Sequence, residues 1–513
     1  MGQAANMAVL VRETHPIVVI GAGPAGLAAA YLLAKEGRDV CVLEADPRYV
    51  GGISKTVEYK GFHFDIGGHR FFSKSNEVEE FWTEILPNDM LVRERSSRIY
   101  YCGRFFSYPL RAFEALQKLG PIESLHCVLS YVWARLRPIR PTVSFEDWVV
   151  NEFGRRLFEI FFKTYTEKVW GMSCKEISAE WAAQRIKGLS LMGAIRSALS
   201  HARPPRDRSK VVKTLIGAFR YPRRGPGMLW EECARKIRAL GGTVLLDRRV
   251  TGCSYDADRA VWVVTAQSGS GEVNTFTASH VVSSAPLSRL VQHLSPAPSK
   301  AAMAAASGLR YRDFLTIALI LRDRGQFPDN WIYIHDPSVR VGRIQNFKSW
   351  SPEMVPDPAM TCYGLEYFCF EGDGLWSSSD EELMRLATRE LEHIGLAAAE
   401  DIVDGYVVRQ KKAYPVYDGD YRQNVAVIRA ELELRYPGLS VIGRNGMHKY
   451  NNQDHAVMTG LLAARNILAG NTVYDLWRVN EDAEYHEHGV AGAESGTSGL
   501  RMVPSPVQRS TSL

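Results

Sequence analysis

Residues 17–46 read IVVIGAGPAGLAAAYLLAKEGRDVCVLEAD, and this stretch decides the fold class of the chain. The β-branched run at 17–20 predicts a buried strand, the alanine- and leucine-rich run after it predicts a helix, and DVCVLEAD predicts a second strand that ends in acids. Strand, glycine turn, helix and strand form the βαβ unit of a dinucleotide-binding fold. We therefore predict an α/β protein with a Rossmann-like domain.

The turn in this unit carries the pattern GxGxxG. Its first glycine permits a tight turn, the second lets the backbone approach a pyrophosphate, and the third lets the helix pack on the strand. An acid closes the second strand about twenty residues further on, where a ribose-binding carboxylate belongs. A purely structural glycine turn is the alternative. The predicted cofactor contacts in this unit are Gly21, Gly23, Pro24, Ala25, Gly26 and Glu44.

Composition limits the function classes. With 513 residues, 46% of them hydrophobic, the chain can bury a large core in two or three domains, and its net charge of +5 argues against a nucleic-acid partner. The 8 cysteines are scattered singly, with no CxxC pair. We therefore expect neither a metal site nor a disulfide framework, and we expect an enzyme of the reducing cytoplasm.

The sequence predicts no integral membrane association. No run reaches about 18 uninterrupted apolar residues, and the N-terminus lacks the order of a signal peptide. The apolar stretch from Leu125 to Trp133 is too short to cross a bilayer, so we predict a core helix there. The sequence also shows no amphipathic anchor, which argues against a membrane-associated adaptor.

Three further motifs suggest which dinucleotide is bound. EADPRYVGGISKT places two glycines soon after the ribose acid, VVSSAPL (281–287) supplies a second late strand and turn, and VIGRN (441–445) supplies a third. Together these motifs resemble the FAD enzymes of the amine-oxidase and glutathione-reductase superfamily. The resemblance implies bound FAD, with contacts from Gly51, Gly52, Gly443 and Arg444.

The predicted architecture is a discontinuous Rossmann-like FAD-binding domain with an inserted helical domain and an antiparallel-sheet substrate domain. The middle of the chain is rich in aromatic residues and helix formers, whereas residues 315–370 alternate like an antiparallel sheet. HARPPRDRSK at 201–210 is predicted to be a mobile loop. The boundaries are 1–14 for a flexible N-terminus, 15–76, 215–300 and 435–475 for the FAD-binding domain, 77–214 for the helical domain, 301–434 for the sheet domain, and 486–513 for a disordered tail.

GMHKYNNQDH at 446–455 precedes the helical run AVMTGLLAARNIL. Asparagine and aspartate are common helix N-caps, so a simple cap is one interpretation. In the superfamily that the chain resembles, the last helix points its N-terminus at the flavin pyrimidine ring. The resemblance therefore implies flavin contacts from Asn452, Gln453 and Asp454, where the helix dipole would stabilise the anionic reduced ring.

A narrower resemblance covers most of residues 15–470. The blocks GGHRFFSKSNEVEEFW, CGRFFSYPLRAF, TYTEKVWGM, AEWAAQRI and HKYNNQDH occur in the order found in UDP-galactopyranose mutases. This family interconverts pyranose and furanose forms of a nucleotide-diphosphate hexose, such as UDP-galactose and its galactofuranose isomer, in carbohydrate or antibiotic biosynthesis. The resemblance implies an isomerase active with reduced FAD, in which flavin N5 attacks the anomeric carbon without net redox change.

The resemblance also assigns substrate residues. Arg185 and Arg343 match positions that grip the diphosphate, a task that suits the bidentate, permanently charged guanidinium group. Tyr165 and Trp170 match an aromatic wall for the nucleotide base. A surface or ion-paired arginine and ordinary core packing of the aromatic residues are the alternatives.

Four more positions complete the predicted site. Gly68 and His69 lie beside the flavin in the resembling family, where a neutral histidine could accept from or donate to N5. Tyr414 and Tyr450 match a pair of tyrosines that contact phosphate, although Tyr417 could replace Tyr414. Asn452 is assigned to substrate as well as to cofactor. The predicted catalytic set is therefore His69, Arg185, Arg343, Tyr414 and Tyr450.

The main alternative is an FAD-dependent oxidoreductase, amine-oxidase-like or desaturase-like, that acts on a small or apolar substrate. The GPG in YPRRGPGMLWEECARKI favours such relatives, whereas the paired arginines favour the mutase. Expected partners are a nucleotide-diphosphate sugar and a reductant such as NAD(P)H, and a homodimer is one option for the oligomeric state. The sequence does not identify the sugar or the base.

Overall fold

A five-stranded parallel sheet forms the centre of the fold. The structure is a computed structural model that describes residues 11–179 and 217–479. The strands of this sheet lie in the order β10 (Thr243–Leu245), β3 (Val40–Leu43), β2 (Ile17–Ile20), β14 (His280–Ser283) and β21 (Leu439–Val441). Strands β2 and β3 are buried throughout, since each is apolar on both faces. Three distant parts of the chain therefore meet in one sheet.

Helices cover this sheet, and two of them approach each other closely. The helix after β2, α1 (Pro24–Lys35), packs against α15 (Gln453–Ala469), the last long helix of the described chain. A Cβ on Gly460 would lie 2.2 Å from the carbonyl oxygen of Ala25, so only glycine permits this approach. The packing places the N-termini of α1 and α15 on the same side of the sheet as the glycine turn.

A second, five-stranded sheet includes residues that were predicted to belong to the flexible N-terminus at 1–14. Its order is β1 (Val11–Thr14), β13 (Val273–Ala278), β12 (Val261–Gln267), β11 (Arg249–Asp256) and β15 (Leu294–Ser295). Residues 11–14, predicted to be part of a flexible N-terminus, pair in parallel with β13. Pairing with a partner more than 250 residues away leaves no local sequence signal.

The third sheet has seven strands and corrects another expectation. Its order is β20 (Ile402–Pro415), β16 (Tyr311–Arg322), β19 (Met360–Cys369), β18 (Arg343–Asn346), β17 (Trp331–Ile334), β7 (Ser97–Tyr101) and β8 (Arg104–Ser107). The pairs among β16 to β20 are antiparallel, as predicted for 301–434. Strands β7 and β8 come from the part predicted to be mainly helical, and β7 joins β17 in parallel.

Two small ribbons connect these layers. The strands β4 (Thr56–Tyr59) and β5 (Phe62–Asp65) form a hairpin, and β6 (Met90–Glu94) pairs with β9 (Ala218–Pro222). The remaining α-helices are α2 (Asn76–Ile85), α3 (Ala112–Leu119), α4 (Pro121–Leu136), α5 (Phe145–Phe153), α6 (Arg155–Phe158), α7 (Thr164–Trp170), α8 (Gly227–Ala239), α9 (Leu287–Gln292), α10 (Lys300–Gly308), α11 (Phe347–Trp350), α12 (Asp380–Ile394), α13 (Tyr421–Arg435) and α14 (Gly443–Gly446). A π-helical turn, Glu159–Lys163, joins α6 to α7.

The apolar run at 125–133 forms a helix, but the prediction of a core helix is only half right. Helix α4 buries Cys127, Tyr131 and Ala134, whereas Leu125, Leu129 and other large apolar side chains of the same helix face solvent. No helix among the described residues is long and apolar enough to cross a membrane. Arg185, the loop at 201–210 and the tail at 486–513 lie outside the described residues.

Candidate functional site

A cleft of about 860 Å³ runs along the carboxyl ends of β2, β3 and β14. We call it the dinucleotide cleft. Its wall contains most of the predicted cofactor residues: Gly21, Gly23, Pro24, Ala25, Glu44, Gly52, His69, Gly443, Arg444, Asn452 and Gln453. Ligands in open α/β sheets bind at this edge, where neighbouring strands lead to helices on different faces.

The glycine turn leaves room for a pyrophosphate. Gly21 has φ +96°, and a Cβ on it would lie 2.4 Å from Oγ of Ser284. A Cβ on Gly23 would instead project into the cleft, where its nearest heavy atom is Cα of Gly52 at 4.0 Å. The N-terminus of α1 begins directly behind this opening, so its backbone N–H groups and dipole face an anion placed there.

Two glycines predicted to contact the cofactor, Gly26 and Gly51, do not line the cleft but fix the backbone next to it. A Cβ on Gly26 would lie 2.0 Å from the carbonyl oxygen of Gly21, so Gly26 allows α1 to pack against the turn. Gly51 has φ +100° and donates its N–H to the carbonyl oxygen of Ala22 at 2.7 Å. Their direct contact with a cofactor stays a prediction.

Glu44 lies at the end of β3, as the spacing predicted. Oε2 accepts from the N–H of Ala22 at 2.7 Å, and Oε1 accepts from the N–H of Asp46 at 2.8 Å. Burial raises the pKa of this carboxyl above its usual value, while the two backbone donors oppose the rise. Glu44 therefore holds the glycine turn in place, and its contact with a ribose stays a prediction.

The N-terminus of α15 meets the other end of the cleft. Asn452 is the N-cap residue, and its backbone N–H donates to Nδ1 of His455 at 3.2 Å. Oε1 of Gln453 accepts from Nε1 of Trp230 at 3.2 Å, and within the part of the chain that the structure describes its Nε2 is buried without a hydrogen-bond partner. A cleft wall with an unsatisfied donor and a helix N-terminus fits an electron-rich ring.

A smaller cavity of about 120 Å³, the polar pocket, adjoins the cleft. His69, Arg444, Asn452 and Gln453 line both spaces. The other lining residues include Gly68, Arg343, Tyr414, Tyr450 and Asp454. The structure thus brings the two predicted groups, cofactor and substrate residues, to one shared boundary.

His69 lies at this boundary as a neutral acceptor. Its Nδ1 is 3.0 Å from the carbonyl oxygen of Gly67, so Nδ1 carries the proton and Nε2 keeps its lone pair. Burial, and then the charges of Arg444 and Arg343, lower the pKa of His69 to about 3. Of the two roles left open by the sequence, donor or acceptor, the geometry supports the acceptor.

Arg343 is held by a residue that the sequence analysis missed. Its Nε and Nη2 donate to Oε2 of Glu366 at 2.7 and 2.6 Å, and Glu366 is fully buried. Burial opposes the charge of Arg343, but Glu366 outweighs it and raises the pKa of the guanidinium. A glutamate in the apolar strand MTCYGLEYFC was the available signal, because a charge rarely lies inside a buried strand unpaired.

The tyrosine pair is Tyr414 and Tyr450. Their rings stack at 5.7 Å and 13°, and the guanidinium carbon of Arg444 lies 5.1 and 4.9 Å from the two ring centres. Burial, and then Tyr450, raise the pKa of Tyr414 to about 12, so its hydroxyl stays protonated. The hydroxyl of Tyr417 instead accepts from the N–H of Tyr450 at 2.5 Å. Tyr414, and not Tyr417, lines the polar pocket.

The two predicted base-stacking residues lie apart from each other. Tyr165 stacks on His335 at 4.9 Å, whereas Trp170 is 3% exposed and packs in the helical core near Tyr417 and Tyr450. Trp170 thus contacts one member of the tyrosine pair, Tyr450. An open stacking face on either residue stays a prediction, as does the role of Arg185 outside the described residues.

Comparisons with known proteins identify the family and the fold. The model of the family described as flavin containing amine oxidoreductase matches residues 24–468. The chain is 25% identical over 276 residues to 15-cis-phytoene desaturase of Arabidopsis thaliana, and the aligned region covers 51% of this chain and 47% of the desaturase. It is 27% identical over 176 residues to dTDP-fucopyranose mutase of Escherichia coli, and this aligned region covers 32% of this chain and 44% of that mutase.

Among solved structures, reduced UDP-galactopyranose mutase superposes with a TM-score of 0.76 over 89% of this chain and 96% of the mutase, at 23% identity. At this identity the likeness shows the fold alone, and the chain spans about half the length of the curated relatives it matches. The predictions of an α/β FAD-binding fold and of a mutase-like flavoprotein fold within the amine-oxidase superfamily are confirmed. FAD is therefore the cofactor of this chain.

Proposed function

Because the chain belongs to the family of flavin-containing amine oxidoreductases, we propose that it is an FAD-dependent isomerase, a mutase that interconverts pyranose and furanose forms of a nucleotide-diphosphate hexose. One observation carries the proposal. The space next to the predicted flavin position is polar and contains Arg343, Arg444, Tyr414 and Tyr450. An apolar or small amine substrate gives no reason for such a set, whereas a diphosphate does.

The chain supplies the groups that a leaving diphosphate needs. When bound in its reduced form, FAD supplies the nucleophile for the anomeric carbon. The hydrogen bonds of Arg444 through Nε and Nη1, at 2.9 and 3.2 Å, go to backbone carbonyl groups, so among the described residues no carboxylate competes with an anion for its guanidinium group. The protonated hydroxyl of Tyr414 and the neighbouring Tyr450 donate to phosphate oxygens.

Two further groups act on the cofactor side of the pocket. His69 offers Nε2 as a neutral acceptor at the boundary between the two cavities, so it can accept a hydrogen bond from the ring without placing a positive charge beside it. The N-terminus of α15, with the free Nε2 of Gln453, places positive potential beside the electron-rich ring. These residues favour a reduced cofactor over an oxidised one.

The direct test measures isomerisation by reduced enzyme without oxygen. Dithionite-reduced protein is incubated separately with UDP-galactose, a GDP-hexose and a dTDP-hexose, and the products are separated. We expect an isomer from at least one sugar, none from oxidised protein, and no stoichiometric use of reductant. Arg343→Met should abolish most turnover, whereas Arg385→Met, on the exposed face of α12, should leave it unchanged.

The desaturase relative and the family description keep an oxidoreductase as the second candidate function. An oxidase or desaturase would react in its oxidised form, so its flavin would bleach with substrate and recover with oxygen. Bleaching of this kind with an amine or an apolar substrate, together with no isomer from any of the three sugars, would overturn the mutase proposal.

A further inference from the structure

Helix α4 (Pro121–Leu136) exposes an unusually apolar face. Six large apolar side chains at helical spacing are 46% to 74% exposed: Ile122, Leu125, Leu129, Val132, Trp133 and Leu136. On the preceding helix α3, Phe113 is 77% exposed. The exposed apolar area is on the order of several hundred Å², a size that marks interaction sites on soluble proteins.

The opposite face of α4 is also apolar. It buries Cys127, Tyr131 and Ala134 against the helical core. A helix that is apolar on both sides normally has both sides covered. A single exposed leucine needs no explanation, but a continuous stripe over four turns of one helix does. We define the exposed side of α3 and α4 as the α4 face.

The cations around the α4 face are only partly matched by carboxylates. The acids of this helical region are satisfied: Glu114 pairs with Lys118, Glu123 with Arg156, and Glu152 with Arg135. Glu146 and Glu159 pair with the arginines of α6, and Asp147 caps α5. Each of these acids already has a partner, so none of them neutralises the remaining cations around the α4 face.

Three arginines next to the α4 face, by contrast, have no carboxylate partner among the described residues: Arg111 at the start of α3, and Arg137 and Arg140 just after α4. The guanidinium carbon of Arg137 lies 4.7 Å from the ring centre of Trp133. An exposed apolar stripe with an aromatic residue beside unpaired cations is the composition of a helix that lies in a membrane interface.

We propose that the α4 face is a docking surface for an anionic lipid bilayer. Helix α4, at about 24 Å for its 16 residues, is too short to span a bilayer, so it lies in the plane of the interface. Its apolar side chains enter the acyl boundary, while Arg111, Arg137 and Arg140 contact lipid phosphates. A second copy of the chain is a poorer occupant, since it would bring the same unpaired cations towards each other.

The test uses full-length holoprotein and vesicle flotation. One set of vesicles is phosphatidylcholine with about one-third phosphatidylglycerol, and the other is phosphatidylcholine alone. The apolar variant is Leu129→Glu with Trp133→Glu, and its control is Leu434→Glu, a leucine on α13 that is even more exposed. The charge variant is Arg137→Ser with Arg140→Ser, and its control is Arg259→Ser on an exposed hairpin.

We expect wild-type protein to float with the anionic vesicles and much less with the neutral ones, and we expect salt to weaken binding. The apolar variant should bind at least about tenfold more weakly. The charge variant should lose binding to anionic vesicles, while both controls bind like wild type. Flavin absorbance and thermal unfolding check that each variant is folded.

Three results would overturn the proposal. The first is wild-type protein that stays at the bottom of the gradient with both kinds of vesicle. The second is flotation that neither variant reduces. The third is a dimer in analytical ultracentrifugation that the apolar variant dissociates, which would assign the α4 face to a second copy.

Discussion

Arg343 and Glu366 face each other across the antiparallel strands β18 and β19, and their side chains form a buried ion pair with Nη2 and Oε2 2.6 Å apart. Glu366 also accepts from Nε2 of Gln345 and from the N–H of Gly68. One carboxylate thus fixes an arginine of the polar pocket and the loop that carries His69. Glu366 is a positioning residue that connects Arg343 of the polar pocket to the loop of His69, which also lines the dinucleotide cleft.

The first prediction tests this pair with a double-mutant cycle. Glu366→Gln leaves the Arg343 charge buried without a counter-charge, so it should lower the free energy of unfolding by about 3–5 kcal/mol. The double variant Arg343→Met, Glu366→Gln should cost less than the sum of the two single changes. Denaturant unfolding of all four proteins measures the difference. The exposed pair Arg235–Glu232 is the control, and Arg235→Met should leave the free energy of unfolding nearly unchanged. Additive effects at Arg343 and Glu366 would contradict the coupling.

The second prediction concerns cofactor retention. Gly23 has φ −77°, which any residue can adopt, so Gly23→Val adds bulk to the cleft without straining the backbone. We expect a folded protein that loses FAD, measured as the ratio of flavin to protein absorbance after desalting. Gly374→Val is the matched control, because a Cβ there meets no atom within 4 Å. A Gly23→Val protein that keeps its full flavin content would place the pyrophosphate elsewhere.

The third prediction separates two neighbouring tyrosines. Tyr414→Phe removes a hydroxyl that lines the polar pocket, so it should reduce kcat/KM for the nucleotide sugar about tenfold with little change in stability. Tyr417→Phe removes the acceptor of the Tyr450 N–H, so it should lower stability by about 1 kcal/mol. Steady-state kinetics and thermal unfolding distinguish the two. Stronger kinetic damage from Tyr417→Phe would reverse the assignment.

The fourth prediction is a pH dependence of stability from Asp65. Burial raises the pKa of this carboxyl to about 7, even though Tyr221 and Thr56 donate to it. In the unfolded chain the carboxyl ionises near pH 4, while the folded protein keeps its proton until about pH 7. The folded state is therefore favoured below about pH 4, and its stability falls between about pH 4 and pH 7.

Asp65→Asn should remove this fall, because the amide carries no charge in either state. We expect the free energy of unfolding of wild type, relative to that of the variant, to fall by a few kcal/mol as the pH rises across this window. Unfolding experiments from acidic to neutral pH measure this change. A constant difference between the two proteins would show that Asp65 titrates normally. Asp258→Asn, on an exposed turn, provides the comparison.

The fifth prediction concerns His69. With its pKa lowered to about 3, His69 stays neutral and should cause no inflection in kcat/KM between about pH 5 and pH 8. His69→Ala should lower turnover by reduced enzyme while FAD remains bound, and the shape of the pH profile should not change. An inflection near pH 6.5 that disappears in His69→Ala would show that the histidine is exposed to proton exchange and charged during the cycle.

Local patterns were sufficient for the cofactor half of the site. The βαβ unit at 17–44 lies within about thirty consecutive residues, so its glycines and Glu44 are placed by chain geometry alone. The polar start of α15 at 452–454 was equally readable, since capping depends on adjacent residues. Asn452 caps the helix, Asn452 and Gln453 line the cleft, and Asp454 lines the polar pocket.

The substrate half depended on pairings between distant segments. Whether Tyr414 or Tyr417 enters the pocket follows from where the end of β20 lies against the loop before α15, and no local pattern encodes that. Strand β7 joins the sheet through β17, which lies more than 200 residues away, and among the described residues the short β8 pairs only with β7, so both were missed. Strand formation there comes from the pairing itself.

The sequence by itself determined the Rossmann-like unit, the FAD motifs and the order of the mutase-like blocks, because each is written in consecutive residues. Only the tertiary structure decided that Glu366 holds Arg343 and that one face of α4 is exposed. The physical reason is the same in both cases. Periodicity shows that a side of an element is apolar or carries a charge, but the neighbour that buries that side or pairs that charge comes from another part of the chain.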